Sequence, residues 1–249
     1  MSNGIPVRLK KEPLLEAVWE IRFTGAKSPV ADLLPGMLFS SFASKYGTGV
    51  RLPIADIPTP IVEHDPNLRY APKIRLDGDN RAIQIGDRVV SLNQRRPYSG
   101  WAKFSADIRE LAEAVQKTGL VSRLERFSLK YIDLIELEKP VGLAHLNLSL
   151  KMGEYELAAK PVHLRTEIKE NDLIHIIQVV SPAEVIMPGT GSPLKGVLVD
   201  IDSIRPMADG ESWDVLYRKL DEVHASCKRI FFNILKPETI EALEPEYGG

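Results

Sequence analysis

Between Leu14 and Phe23 the chain alternates without a break: Leu15, Ala17, Trp19, Ile21 and Phe23 fall on one side, Glu16, Val18, Glu20 and Arg22 on the other. A side-chain period of two belongs to a β-strand, and so bulky an apolar set must face a core while the charged set faces away from it. This segment demands a sheet with two unlike faces and something to cover the apolar one. Two amphipathic helices supply the cover. From about Trp101 to Gln116, Phe104, Ile108, Leu111 and Val115 recur at helical spacing, and Gly119 stops the run. From about Ser212 to Leu235, Trp213, Leu216, Leu220, Val223, Cys227, Ile230 and Ile234 step by three or four. The expected fold class is α+β: a mostly antiparallel sheet, or sheets, covered by helices on one face.

Other segments extend the plan. Ser28 offers an N-cap oxygen and Pro29 suits a first helical position, which predicts a helix to about Lys45 with Val30, Leu34, Met37, Leu38 and Phe42 turned to the core and Gly47 beyond its end. Pro53, Pro58, Pro60, Pro66 and Pro72 remove backbone donors, so residues 52–72 are expected to form an extended surface connection suited to docking. Residues 73–94 read as a three-stranded meander, with turns at Asp77-Gly78-Asp79-Asn80 and Gly86-Asp87. Phe127 to Leu137 and Gly196 to Arg205 are further strands, and Val162 to Lys169 with Leu173 to Val180 form a hairpin about Glu170-Asn171. Trp101, Phe104, Ile108, Leu111 and Val115 share the spacing of Trp213, Leu216, Leu220, Val223 and Cys227, and each set follows a run of strands. That raises an internal duplication, with α+β halves over 1–140 and 141–249, although one continuous domain accommodates the same pattern.

Charge and cysteine content narrow the function classes. With 32 basic and 34 acidic residues the formal net charge is −2, so no global positive field favours nucleic acid or an acidic membrane. The single cysteine, Cys227, cannot form an intramolecular disulfide, and no apolar run approaches the roughly 20 residues of a bilayer span. The expectation is a soluble, cytoplasmic protein with no membrane attachment.

Candidate chemistry is sparse. Asp200 with Asp202 and Glu16 with Glu20 each share a strand face, and paired carboxylates serve two-metal nucleases and acid–base hydrolases. An alternating charged face of an antiparallel sheet explains them equally simply. The histidines show no HxxxH spacing, and closing the hairpin at Glu170-Asn171 sets His175 opposite Thr166 and His163 opposite Gln178, so no metal site is expected. Cys227 sits in an apolar helical stripe, where burial opposes thiolate formation. Gly189, Gly191 and Gly196 cluster in MPGTGSPLKG, a loop able to wrap a phosphate but lacking a helix N-terminus behind it. Arg95, Arg96, Arg123, Arg126 and Lys130 could contact a nucleic-acid backbone, but Glu125, Asp133, Glu136 and Glu138 interleave with them. No cofactor is expected.

PLLEAVWEIRF (13–23), YSGW (98–101) and LERFSLKYIDLIEL (124–137) together resemble a sporadically distributed prokaryotic family of uncharacterised proteins of about 250 residues. The resemblance implies no activity that can be carried over to particular residues; the family's patchy occurrence implies accessory loci such as defence or toxin–antitoxin neighbourhoods. The leading expectation is therefore a non-catalytic binding or regulatory protein acting through a protein partner, with homodimerisation as one form. A metal-dependent nuclease or phosphoesterase and a nucleic-acid binder are the alternatives.

Overall fold

A computed structural model of the chain describes residues 4–25, 29–66, 68–136, 142–187 and 192–248. The alternating segment is a strand, Leu14–Gly25, here β2, preceded by the two-residue β1, Arg8–Leu9. Helix α1 (Val30–Phe42), β3 (Val50–Arg51) and α2 (Thr59–His64) lead to the meander β4 (Ile74–Asp77), β5 (Arg81–Ile85) and β6 (Val89–Arg95). Then come α3 (Trp101–Lys117), β7 (Val121–Ile135), and the short β8 (Lys151–Met152) and β9 (Tyr155–Glu156). The chain continues with β10 (Val162–Glu170), β11 (Leu173–Val185), β12 (Leu194–Pro206), α4 (Trp213–Ile234), α5 (Pro237–Ala242) and β13 (Pro245–Glu246). Nine strands form one antiparallel sheet in the order β10-β11-β12-β7-β2-β6-β5-β4-β3, so the expected α+β class holds.

Two compact units emerge, one of residues 1–15, 130–203 and 224–249, the other of 16–129 and 204–223. Each draws on both expected halves, and the expected boundary at 140 lies outside the described residues. In the second unit Trp19, Ile21 and Phe23 are fully buried with Ile83, Ile85, Phe104, Ile108 and Leu111. Each such side chain contributes about 1.5–3 kcal/mol by leaving water. There α1 packs on α3 and β5, and α3 on β6. In the first unit Ile177, Val179, Val197, Val199 and Ile201 meet Cys227, Ile230 and Phe231 of α4, joined by Leu9, Leu143, Leu146 and Leu243. Gly196 belongs to β12 rather than to a phosphate loop: a Cβ there would collide with the Ile135 carbonyl, so glycine permits the close approach of two strands. Gly189 and Gly191 lie outside the described residues.

Several local expectations change. Ser28 lies outside the described residues, and Pro29 itself takes the cap position of α1. A cap arrives from the meander instead: the Ala31 amide donates to Asp87 Oδ1 at 3.1 Å, while Lys73 Nζ holds Asp87 Oδ2 at 2.6 Å. The helix ends at Phe42, before the expected Lys45, and Met37 faces outward. Residues 52–72 are not simply extended, for Pro53–Asp56 form a 3-10 turn and α2 follows. Pro53, Pro58 and Pro60 stand at helix starts, where an amide would go unpaired in any case. The long hairpin turns on Asn171-Asp172, with Asn171 at φ +53°, because asparagine tolerates the left-handed region. His175 therefore faces Ile168 and His163 faces Val180, a register two residues from the expected one. Leu137 is outside the described residues, and β7 ends at Ile135. Helix α5 and the pairs β1–β13 and β8–β9 had no strong periodic signal.

Candidate functional site

The charged strand faces carry the first candidates. Asp200 on β12 is buried, with Lys130 Nζ of β7 at 2.9 Å and Gln178 Nε2 donating to the same Oδ2 at 3.3 Å. Asp202 follows on the same face of β12, half-buried. In the other unit Glu20 Oε1 accepts from Arg22 Nε at 2.7 Å and Arg126 Nη2 at 2.8 Å, and Glu16 Oε1 accepts from Asn93 Nδ2 at 3.0 Å. Asp200 and Glu20 are thus each paired with cations of their own unit, which leaves them less charge to offer a metal ion. Among the described residues no group of three or more His, Cys, Asp or Glu side chains is arranged to hold a metal.

The basic candidates share these pairs. Arg126 is bound to Glu20, Lys130 to Asp200, and Arg123 to Asp209. Arg95 is exposed at the end of β6 and Arg96 follows it. At least three of the five cations are therefore matched by carboxylates, which weakens their summed field at the surface.

A polar constellation that sequence spacing did not indicate lies beneath α4 in the first unit. His175 of β11 is fully buried; its Nδ1 lies 2.9 Å from Ser203 Oγ and its Nε2 3.3 Å from Ser226 Oγ. Glu170 Oε2 is 3.9 Å from Nε2 and is held by Arg229 Nη2 at 2.5 Å. Burial lowers the His175 pKa below its ordinary value, against the pull of Glu170 and with the help of Arg229. Burial likewise pushes the Cys227 thiol up to about 12, opposed by a Ser203 hydrogen bond and reinforced by Asp133, Asp202 and Asp200. Both nitrogens of the buried imidazole are engaged by serine hydroxyls, and the raised thiol pKa keeps Cys227 from serving as a thiolate.

The second unit presents a different kind of surface. Helix α1 carries one charged residue, Asp32, and is apolar on both sides. Val30, Leu34, Leu38 and Phe42 face inward, yet Leu33, Met37 and Phe39 remain 43%, 48% and 65% exposed. Between these apolar side chains Gly36 is open: a Cβ built there meets nothing within 4 Å. A hollow of about 360 Å³ lies on one side of the helix, lined by Met37, Ser41, Phe42, Glu110 and Lys117. A second, of about 390 Å³, lies on the other, lined by Pro35, Phe39, Tyr46 and Leu76. Met37 had been expected inside; the missing polar face of this helix was the available sequence signal.

By architecture the chain is an α+β protein built on a large antiparallel sheet with helices packed on it. No protein-family model matches it, and no curated protein matches its sequence. No helix among the described residues is long and apolar enough to cross a membrane.

Proposed function

We propose that the protein is a non-catalytic binding protein that works through a protein partner, and that the outer side of α1 is its docking surface. The observation that carries this reading is the exposure of Leu33, Met37 and Phe39 on a helix flanked by two hollows. An exposed apolar cluster of this kind lowers solubility unless something covers it, and such clusters mark interaction sites. Thirteen residues at 1.5 Å rise give a ridge about 20 Å long, enough to seat one helix of a partner. Met37 and Phe39 serve as anchors, and Gly36 between them lets the partner backbone approach closely. A regulatory role in a defence or toxin–antitoxin neighbourhood is part of the proposal and rests on the family resemblance alone.

The test uses the full chain as bait in extracts of its host, alongside Phe39→Glu and Gly36→Arg. Both substitutions point into solvent, so the urea midpoint of Phe39→Glu should match the parent's and that of Gly36→Arg, which replaces a helical glycine, should equal or exceed it. A partner retained in stoichiometric amount by the parent and lost with both variants supports the reading. Retention of nothing specific, or equal retention by all three proteins, sinks it. The metal-dependent nuclease alternative has less support, because Asp200 and Glu20 already pair with Lys130, Arg22 and Arg126.

A further inference from the structure

We propose that β10 is a self-complementary sheet edge through which two copies of this chain pair, joining their sheets across a two-fold axis at Thr166. This surface is separate from α1 and does not depend on the docking role given to it.

At one end of the sheet β10 has β11 as its single neighbour among the described residues, whereas the other end is closed by β3, only two residues long. A two-residue strand is a poor template; a nine-residue strand with a free side is a good one. The turn at Asn171-Asp172 closes on the pair Glu170–Leu173, so the backbone groups of even-numbered residues bond to β11. Those of His163, Arg165, Glu167 and Lys169 point out of the sheet, where another strand could meet them.

A two-fold axis perpendicular to the sheet keeps the apolar faces of both copies on one side. It also requires odd residues to face odd residues, which leaves few registers. Centred on Thr166, the pairing sets Arg165 opposite the partner's Glu167 and Glu167 opposite the partner's Arg165. It also brings Leu164 against the partner's Ile168 and Thr166 against the partner's Thr166, and these are favourable cross-strand neighbours. His163 then faces the partner's Lys169, a pair without attraction. Centring on Arg165 instead would set that cation against itself. Centring on Glu167 would oppose two carboxylates and set Arg165 against the partner's Lys169. Centring on Ile168 would also match charge, Glu167 against the partner's Lys169, but it pairs only residues 166–170 of the strand, whereas the Thr166 register pairs all of 162–170.

The free chain leaves these groups unsatisfied. Arg165 is exposed and has no carboxylate partner among the described residues. Among the described residues Glu167 has only Lys169 of its own strand, at 3.8 Å and well solvated. Ile168 is 46% exposed although its strand neighbour Leu164 packs on the core. Charges that merely guard an edge deter association when like faces like. Here opposite signs two residues apart create an attractive register.

Sedimentation equilibrium at micromolar concentration should give twice the 27.8 kDa chain mass. Arg165→Glu and Glu167→Arg, each confirmed folded by circular dichroism, should weaken the dimer at least about tenfold by placing like charges opposite one another. The double variant carrying both substitutions exchanges the charges and should restore it. Phe39→Glu should leave the mass unchanged, which separates this interface from the α1 surface. A monomeric parent overturns the proposal and leaves the edge to a strand of some other protein. Single variants as dimeric as the parent, or a folded double variant that stays monomeric, overturn it as well.

Discussion

Helices α1 and α3 pack against each other in one compact unit, but they meet solvent in opposite ways. On α3 the apolar side chains Phe104, Ile108, Leu111 and Val115 are all buried, and the outer surface is given to Lys103, Glu110, Glu113 and Lys117. On α1 the buried apolar stripe is flanked by exposed apolar side chains on both edges, Leu33 and Met37 on one and Phe39 on the other, with Asp32, Gly36 and Ser40 between them. The core accounts fully for α3, since an amphipathic helix needs one covered face and one wet face. It accounts for only half of α1. Leu33, Met37 and Phe39 contribute little to burial within the chain, so folding alone does not explain their apolar character.

Paired truncations test that contrast most sharply. Phe104→Ala should cost about 3–5 kcal/mol in urea unfolding, because it empties a fully enclosed ring site. Phe39→Ala, the same change on the neighbouring helix, should fall within about 0.5 kcal/mol of the parent. A cost above about 2 kcal/mol at Phe39 would make the exposed edge part of the core and remove the basis for a docking surface. A smaller effect should come from the start of α1. Asp87→Ala removes the carboxylate that accepts the Ala31 amide and leaves Lys73 without its partner, for a loss of about 1 kcal/mol. Stability unchanged by Asp87→Ala would mean that water caps α1 as well as Asp87 does.

The sequence disclosed what is local and periodic. The alternation of β2 and the stripes of α3 and α4 survive almost residue for residue, because a core face repeats at the period of its own element. Helix α1 was located but misoriented at Met37, since apolar residues on both sides do not say which side is covered. The hairpin register depended on which two residues form the turn, and the left-handed Asn171 settles that by two positions. The polar partnerships were hidden for a different reason. Lys130 reaches Asp200, Glu20 reaches Arg126, and His175 meets Ser203 and Ser226 across elements far apart in sequence. Such pairs follow from the order in which strands enter the sheet, and no local spacing encodes that order.

The smallest effect at neutral pH concerns Tyr46, which closes the inner boundary of α1 through its contact with Phe42. Burial pushes its phenol up to about 12; Arg81 opposes the shift, and Asp107 and Glu110 reinforce it. In the unfolded chain the same group ionises near its ordinary value of about 10. Between these values the unfolded state releases a proton that the folded state keeps, so stability is intact below pH 10 and falls as pH rises toward about 12. Tyr46→Phe should therefore match the parent at pH 7 and flatten the alkaline limb of a stability–pH profile. Tyr217, also raised to about 12 by burial on α4, should retain its own part of that limb. If the limb were as steep in Tyr46→Phe as in the parent, the Tyr46 phenol would already be reached by water in the fold. The inner side of α1 would then be as open as its outer side, and the contrast with α3 would have to be drawn between the helices as wholes rather than between their faces.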